Sequence, residues 1–147
     1  MMLLVVSMFL IPRADTVVAG SGVALVHNVD TGLNYMTIQA AIDAPGTLDG
    51  HTIVVDAGDY TEHIEVYKSL SIIGAGPELC YISVPVLISE NTIDVVADDV
   101  TVKGFKVESV ADYSGIFLDS VRHCDIANNV LTGGGSGITL EGSSDNT

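Results

Sequence analysis

The chain has 147 residues, is 48% hydrophobic and carries a formal net charge of −14, with only Arg13, Lys68, Lys103, Lys106 and Arg122 on the basic side. That length and apolar content suffice for one small domain with a core. The charge excludes nucleic acid and anionic membrane surfaces as partners, since both reward clustered Lys and Arg, and it fits contact with cations or a salty habitat.

Leu3 to Ile11 form a short apolar run, followed by Pro12 and the small-residue stretch from Val17 to Gly20. This reads as a secretory signal peptide over residues 1–20, cut after Ala19 or Gly20. The run is too short to span a bilayer and is followed closely by Arg13 and Asp15, so no stable span is expected after cleavage; an uncleaved anchor is the alternative. No Lys or Arg precedes the apolar run, which makes the signal atypical or the start codon mis-set. Removal would take away one Arg and one Asp and leave the charge at −14.

Residues 21–33 read as a lead-in. The stretch from Tyr35 to Ala44 is the one helical pattern, placing Ile38, Ala41 and Ile42 on one face at i, i+3, i+4. Thr37 or Asn34 can cap its start, and Pro45-Gly46 ends it. Such a short helix needs tertiary packing to persist. Strand signals follow at Thr52–Val55, His63–Val66, Leu70–Ile73, Tyr81–Val84, Val86–Ile88, Ile93–Val96 and Val100–Val102. Gly58, Gly74 to Pro77 and Asp98-Asp99 punctuate them as turns.

The last third repeats itself. Asp99 to Val107 aligns residue for residue with His123 to Leu131, 24 positions on, and Asp145-Asn146-Thr147 opens a third copy 22 positions later. A second phrase keeps step: Ile93-Asp94-Val95, Ile116-Phe117-Leu118 and Ile138-Thr139-Leu140, spaced by 23 and 22. A period of about 22 residues with short strands and no room for a helix predicts a parallel β-helix, each unit burying its apolar face by stacking on its neighbours. Val95, Val102, Ile116, Leu118, Ile126 and Ile138 are expected to point inward. The helix over about 37–44 is expected to cover the N-terminal mouth. The unit broken off at Thr147 predicts a C-terminal end that is open or truncated, as in the front of a longer protein. Asn128 and Asn129 read as turn residues that ladder between coils.

Three stretches carry a family resemblance: Tyr35 to Ala44, His51 to Glu62 and Lys68 to Pro77. Together they resemble the opening of pectin-lyase-like right-handed parallel β-helix proteins. Pectin methylesterases share this opening, as do NosD-type and carbohydrate-binding/sugar-hydrolase (CASH) domains; the pattern is most similar to archaeal secreted or cell-surface β-helix proteins. The resemblance covers about residues 34–147 and implies an all-β, single-stranded right-handed solenoid with an N-terminal cap. It implies no single function, because the scaffold hosts lyases, esterases, glycosidases, epimerases, adhesins and tailspikes. The esterases' working Asp pair, Arg and oxyanion-stabilising Gln find no matching motif here. Gln39 belongs to the helical opening, and Arg122 is the solenoid's sole arginine.

Catalytic residues therefore stay unassigned. Asp119 and Glu141 align in the repeat, on rungs about 4.8 Å apart, and form a weak candidate pair for Ca²⁺; two solvated acids are the plainer reading, since Ca²⁺ takes six to eight oxygens. No cofactor is expected beyond that cation. Arg122 reads as a surface ion pair with Asp119 or Asp125. His27, His51, His63 and His123 are scattered without zinc spacing and read as lone surface residues. Met1, Met2, Met8 and Met36 lie in the signal and the cap, which speaks against copper. Cys80 and Cys124 make no metal motif and read as buried free thiols rather than a disulfide.

These observations converge on a secreted or cell-surface β-helix module, non-enzymatic as it stands, contacting polysaccharide or cell-envelope components. The alternative is the N-terminal part of a carbohydrate-active enzyme of pectate lyase, pectin esterase or glycosidase type, with its catalytic coils beyond residue 147.

Overall fold

Alternating apolar residues in short runs, broken by turn residues that accept a positive φ, build a chain that turns three corners per circuit. The computed structural model describes residues 25–85 and 87–147. The expected signal peptide, residues 1–20, lies outside them, as do residues 21–24 of the expected lead-in. The rest of the lead-in contributes to two strands, β1 (Val26–Asn28) and β2 (Leu33–Tyr35), ahead of a six-residue helix, α1 (Ile38–Asp43). Four coils of three strands follow: β3 (Thr52–Val55), β4 (Gly58–Thr61) and β5 (Ile64–Val66); β6 (Ser71–Gly74), β7 (Cys80–Ser83) and β8 (Ile93–Val95); β9 (Thr101–Lys103), β10 (Lys106–Ser109) and β11 (Ser114–Asp119); β12 (Asp125–Ala127), β13 (Val130–Gly133) and β14 (Ser136–Glu141). Like strands stack into three sheets, ordered β12-β9-β6-β3-β1-β2, β13-β10-β7-β4 and β14-β11-β8-β5. Among the described residues every coil-to-coil pairing is parallel, and only β1 with β2 and β1 with β3 run antiparallel.

Register turns the repeat into a core. Ile53, Ile72, Val102 and Ile126 form one inward column; Tyr60, Ile82, Val107 and Leu131 form a second. Ile64, Ile93, Ile116 and Ile138 form a third, beside Val66, Val95, Leu118 and Leu140. The upper members of each column are buried. Ile126 is only half-buried, Ile138 is 40% exposed and Leu140 is 52% exposed. Ile138 thus keeps its expected register but not its expected burial, because among the described residues no coil stacks on β14.

The corners explain the polar half of the repeat. Asp99, His123 and Asp145 stand at matching positions with φ of 57, 57 and 56°. Asn and Asp tolerate this left-handed conformation better than other non-glycine residues. Asn128 takes it too, at 54°, and its neighbour Asn129 joins two coils by accepting from Phe105 N–H at 3.0 Å and donating to Val102 C=O at 2.8 Å. Asn146 repeats the device, accepting from Cys124 N–H at 2.8 Å and donating to Val121 C=O at 3.2 Å.

Some sequence expectations fail locally; Gly74, expected to begin a turn, closes β6 opposite Val55. Leu87 and Ile88, expected with Val86 to form a strand, lie in none: Ile88 N–H bonds Pro85 C=O at 2.9 Å, and Leu87 is 97% exposed. Val86 itself lies outside the described residues. Gly58, expected as a turn, opens β4 opposite Cys80.

The cap forms as the sequence predicts. Thr37 is the N-cap, its hydroxyl accepting from Ala40 N–H at 3.1 Å, and Ile38, Ala41 and Ile42 are fully buried. Asn34, the other candidate cap, is engaged with His27 instead. Side chains from the first coil hold α1 at both ends. The Glu62 carboxylate accepts the Ile38 and Gln39 N–H groups, both at 2.9 Å; burial pushes its pKa up, while those N–H bonds pull it down. Lys68 Nζ donates to Ile42 C=O at 2.6 Å, Thr47 C=O at 2.9 Å and Ala44 C=O at 3.3 Å. The Gln39 amide covers the edge of β5, accepting from Glu65 N–H at 2.8 Å and donating to Glu65 C=O at 3.3 Å. Lys68→Met keeps the apolar stem but orphans the helix's last carbonyls, and should destabilise the fold by about 1.5–3 kcal/mol, the range for bonds to a charged group. Denaturant melts of parent and variant measure it.

Candidate binding face

The outward residues of the second sheet bring together groups that the sequence keeps 22 to 25 positions apart. Asp59 on β4 pairs in register with Tyr81 on β7, which pairs with Lys106 on β10, which pairs with Val130 on β13. Thr61 and Ser83 stand beside them, and Glu108 and Thr132 continue that second row. Alternation along each strand sends Tyr60, Ile82 and Val107 inward and leaves these neighbours outside.

Within this face the Tyr81 hydroxyl donates to Glu108. The Lys106 ammonium sits over the Tyr81 ring, 5.5 Å from its centroid, a cation–π arrangement. The bond to Glu108, together with burial and the nearby Glu108 and Asp59 charges, pushes the Tyr81 phenol up to about 12. It is therefore a fixed hydrogen-bond donor at neutral pH. Pro77, Glu78 and Leu79 rise beside the strands and wall a groove of about 400 Å³. Cys80 lies behind it with its thiol 3.3 Å from Asp56 C=O, and burial pushes that thiol up to about 11. A thiol so far from thiolate is a poor nucleophile or metal ligand. Both cysteines are free and buried.

The sequence-predicted site residues lie elsewhere. Asp119 and Glu141 are neighbours in register on β11 and β14, both exposed. They supply two carboxylates where Ca²⁺ takes six to eight oxygens, and among the described residues no three His, Cys, Asp or Glu side chains cluster as a metal set. Arg122 makes no ion pair with Asp119 or Asp125 among the described residues; its backbone N–H binds Asp98 Oδ1 at 2.8 Å. The histidines are not solitary. His27 meets Asn34 and Asp56, His51 Nδ1 lies 3.3 Å from Asn28 Nδ2, His63 Nδ1 lies 2.8 Å from Asn91 C=O, and His123 stands 3.6 Å from Asp99. Sequence reading passed over the Asp59–Tyr81–Lys106 column because unequal turn lengths hide it. Its one visible signal was the outward alternation of Tyr81 in a recognised strand.

No protein-family model matches the chain. Over 111 residues, 76% of its length, it is 36% identical to a cell surface glycoprotein of Methanothermus fervidus, and spans 18% of that protein. Its fold is similar to that of a pectin methylesterase solved with a bound hexasaccharide, with a TM-score of 0.51 over 70% of this chain and 43% of the other. At 14% identity that likeness speaks for architecture alone. With its four parallel coils and capped N-terminal mouth, the chain is a parallel β-helix, similar in architecture to that esterase.

Proposed function

We propose that this chain is a non-enzymatic, exported cell-surface module that contacts carbohydrate through the outward face of β4, β7, β10 and β13. The observation that carries the reading is the groove in which Tyr81 lies between Asp59 and Lys106, with Glu108 bound to its hydroxyl. An amphipathic ring flanked by carboxylates, an ammonium and hydroxyls matches the alternating apolar and hydroxyl faces of a sugar. The name of the Methanothermus fervidus relative supports a place at the cell surface.

Charge narrows the ligand. Asp59, Glu78 and Glu108 outnumber Lys106 around the groove, on a chain of net charge −14. A uronate polymer would bring a carboxylate on every residue into that field, so neutral glycans fit better. Chemistry is disfavoured by tuning: Tyr81 and Cys80 both sit far above neutral pH, whereas acid–base catalysts are poised near it.

Calorimetric titration of the purified protein with neutral oligosaccharides and with oligogalacturonate, with and without Ca²⁺, tests this. Binding is expected for a neutral glycan, and Tyr81→Ala should weaken it about tenfold while lowering the melting temperature only slightly, because Tyr81 faces outward. Binding unaffected by Tyr81→Ala would remove this face as the site. Release of unsaturated ends, methanol or reducing sugar from pectin or polygalacturonate would overturn the non-enzymatic reading.

A further inference from the structure

The imidazole of His27, on β1, stands between oxygen atoms supplied by two other parts of the first sheet. Nδ1 lies 2.6 Å from Asn34 Oδ1 on β2, and Nε2 lies 3.0 Å from Asp56 Oδ2 just past β3. A neutral imidazole has one N–H and can donate to only one of these acceptors; the imidazolium donates to both. The arrangement has mechanical weight, because β2 joins the sheet only through β1, and β1 in turn covers the edge of β3. His27 is thus the side chain that links all three.

We infer that His27 is a proton-operated latch on the N-terminal hairpin. Protonated, it ties β2 through β1 to the end of β3 by donating at both nitrogens; deprotonated, it can donate to only one of the two acceptors. The side chain is 31% exposed, so protons reach it while its bonds stay partly shielded.

The surroundings favour the charged form. The hydrogen bond to Asp56 raises the His27 pKa above its ordinary 6.5 most strongly, and that to Asn34 adds to it, against the opposing effect of burial. The two side chains that donate to Asp56 C=O are neutral, the Tyr60 hydroxyl at 3.0 Å and the Cys80 thiol at 3.3 Å. The nearest cation in the outward column of Val54, the register partner of His27, is Lys103, two strands beyond Val54. A group whose folded-state pKa is raised contributes stability in full below its unfolded value and loses it as pH rises through the folded one. The latch is therefore closed below pH 6.5 and opens as pH rises through the raised folded-state value.

Imidazole NMR across pH, combined with amide exchange, tests the latch. His27 should titrate above 6.5 and show both ring N–H groups protonated below its midpoint. Protection of β2 amides relative to β6 amides should fall across that midpoint, by up to about tenfold for every pH unit by which it exceeds 6.5. Asp56→Asn should lower the midpoint and flatten the β2 response. A midpoint at or below 6.5, a single ring N–H under acid conditions, or a β2-to-β6 ratio indifferent to the midpoint would overturn the proposal.

Discussion

Replacing Ile42 with aspartate is expected to destabilise the protein by about 4 kcal/mol or more. Ile42 is fully buried on the inner face of α1, which packs over β1, β3 and β5. Removing a buried isoleucine side chain alone costs about 2–5 kcal/mol, and a carboxylate in its place must lose hydration without a partner. The helix cannot compensate by shifting: it has six residues, fixed at one end by Glu62 and at the other by Lys68. Ile42→Val keeps the site apolar and should cost only about 0.5–1.5 kcal/mol. Chemical denaturation of the three proteins measures both steps. An aspartate variant that melts like the parent would place the helix in solvent and sink the capping role.

The cap was legible because two independent patterns agreed on it: an i, i+3, i+4 apolar face and a Thr-to-Pro-Gly frame. The coils were legible because strands buried on one face must repeat in phase wherever units stack, so Ile93, Ile116 and Ile138 gave the register directly. The means of holding the cap was not. Glu62 and Lys68 act on a helix 23 to 26 residues upstream, and nothing local distinguishes them from surface charges until the first coil closes. The hairpin of β1 and β2 was missed for a similar reason: its strands are three residues each, too short for alternation to register. At the candidate face, Tyr81 was seen as a strand residue, but its neighbours Asp59 and Lys106 belong to other coils. Turn length sets which residues share a column. Leu87 and Ile88 show how freely it varies, lying outside any strand where one was expected.

The same sensitivity to coil geometry makes Phe105 the residue on which the second large core effect rests. It is the largest side chain in the chain's fully buried set and sits at the corner between β9 and β10. Its backbone is fixed on both sides, the N–H by Asn129 Oδ1 at 3.0 Å and the C=O by Val130 N–H at 2.9 Å. The coil therefore cannot collapse into the space the ring leaves, and Phe105→Ala should cost about 3–5 kcal/mol. Gly74 shows how tight the contact is. A Cβ there would lie 2.7 Å from the Phe105 ring and would also strike Gly104 C=O. Gly74→Ala should therefore be destabilising by itself, and the two substitutions should not add. Without the ring, one of the two collisions disappears, and the double variant should be more stable than the sum of the singles predicts, by more than about 0.5 kcal/mol. The remaining collision with Gly104 keeps it below Phe105→Ala in stability. Denaturant unfolding of the four proteins closes the cycle; strict additivity would mean that Gly74 and the ring do not touch.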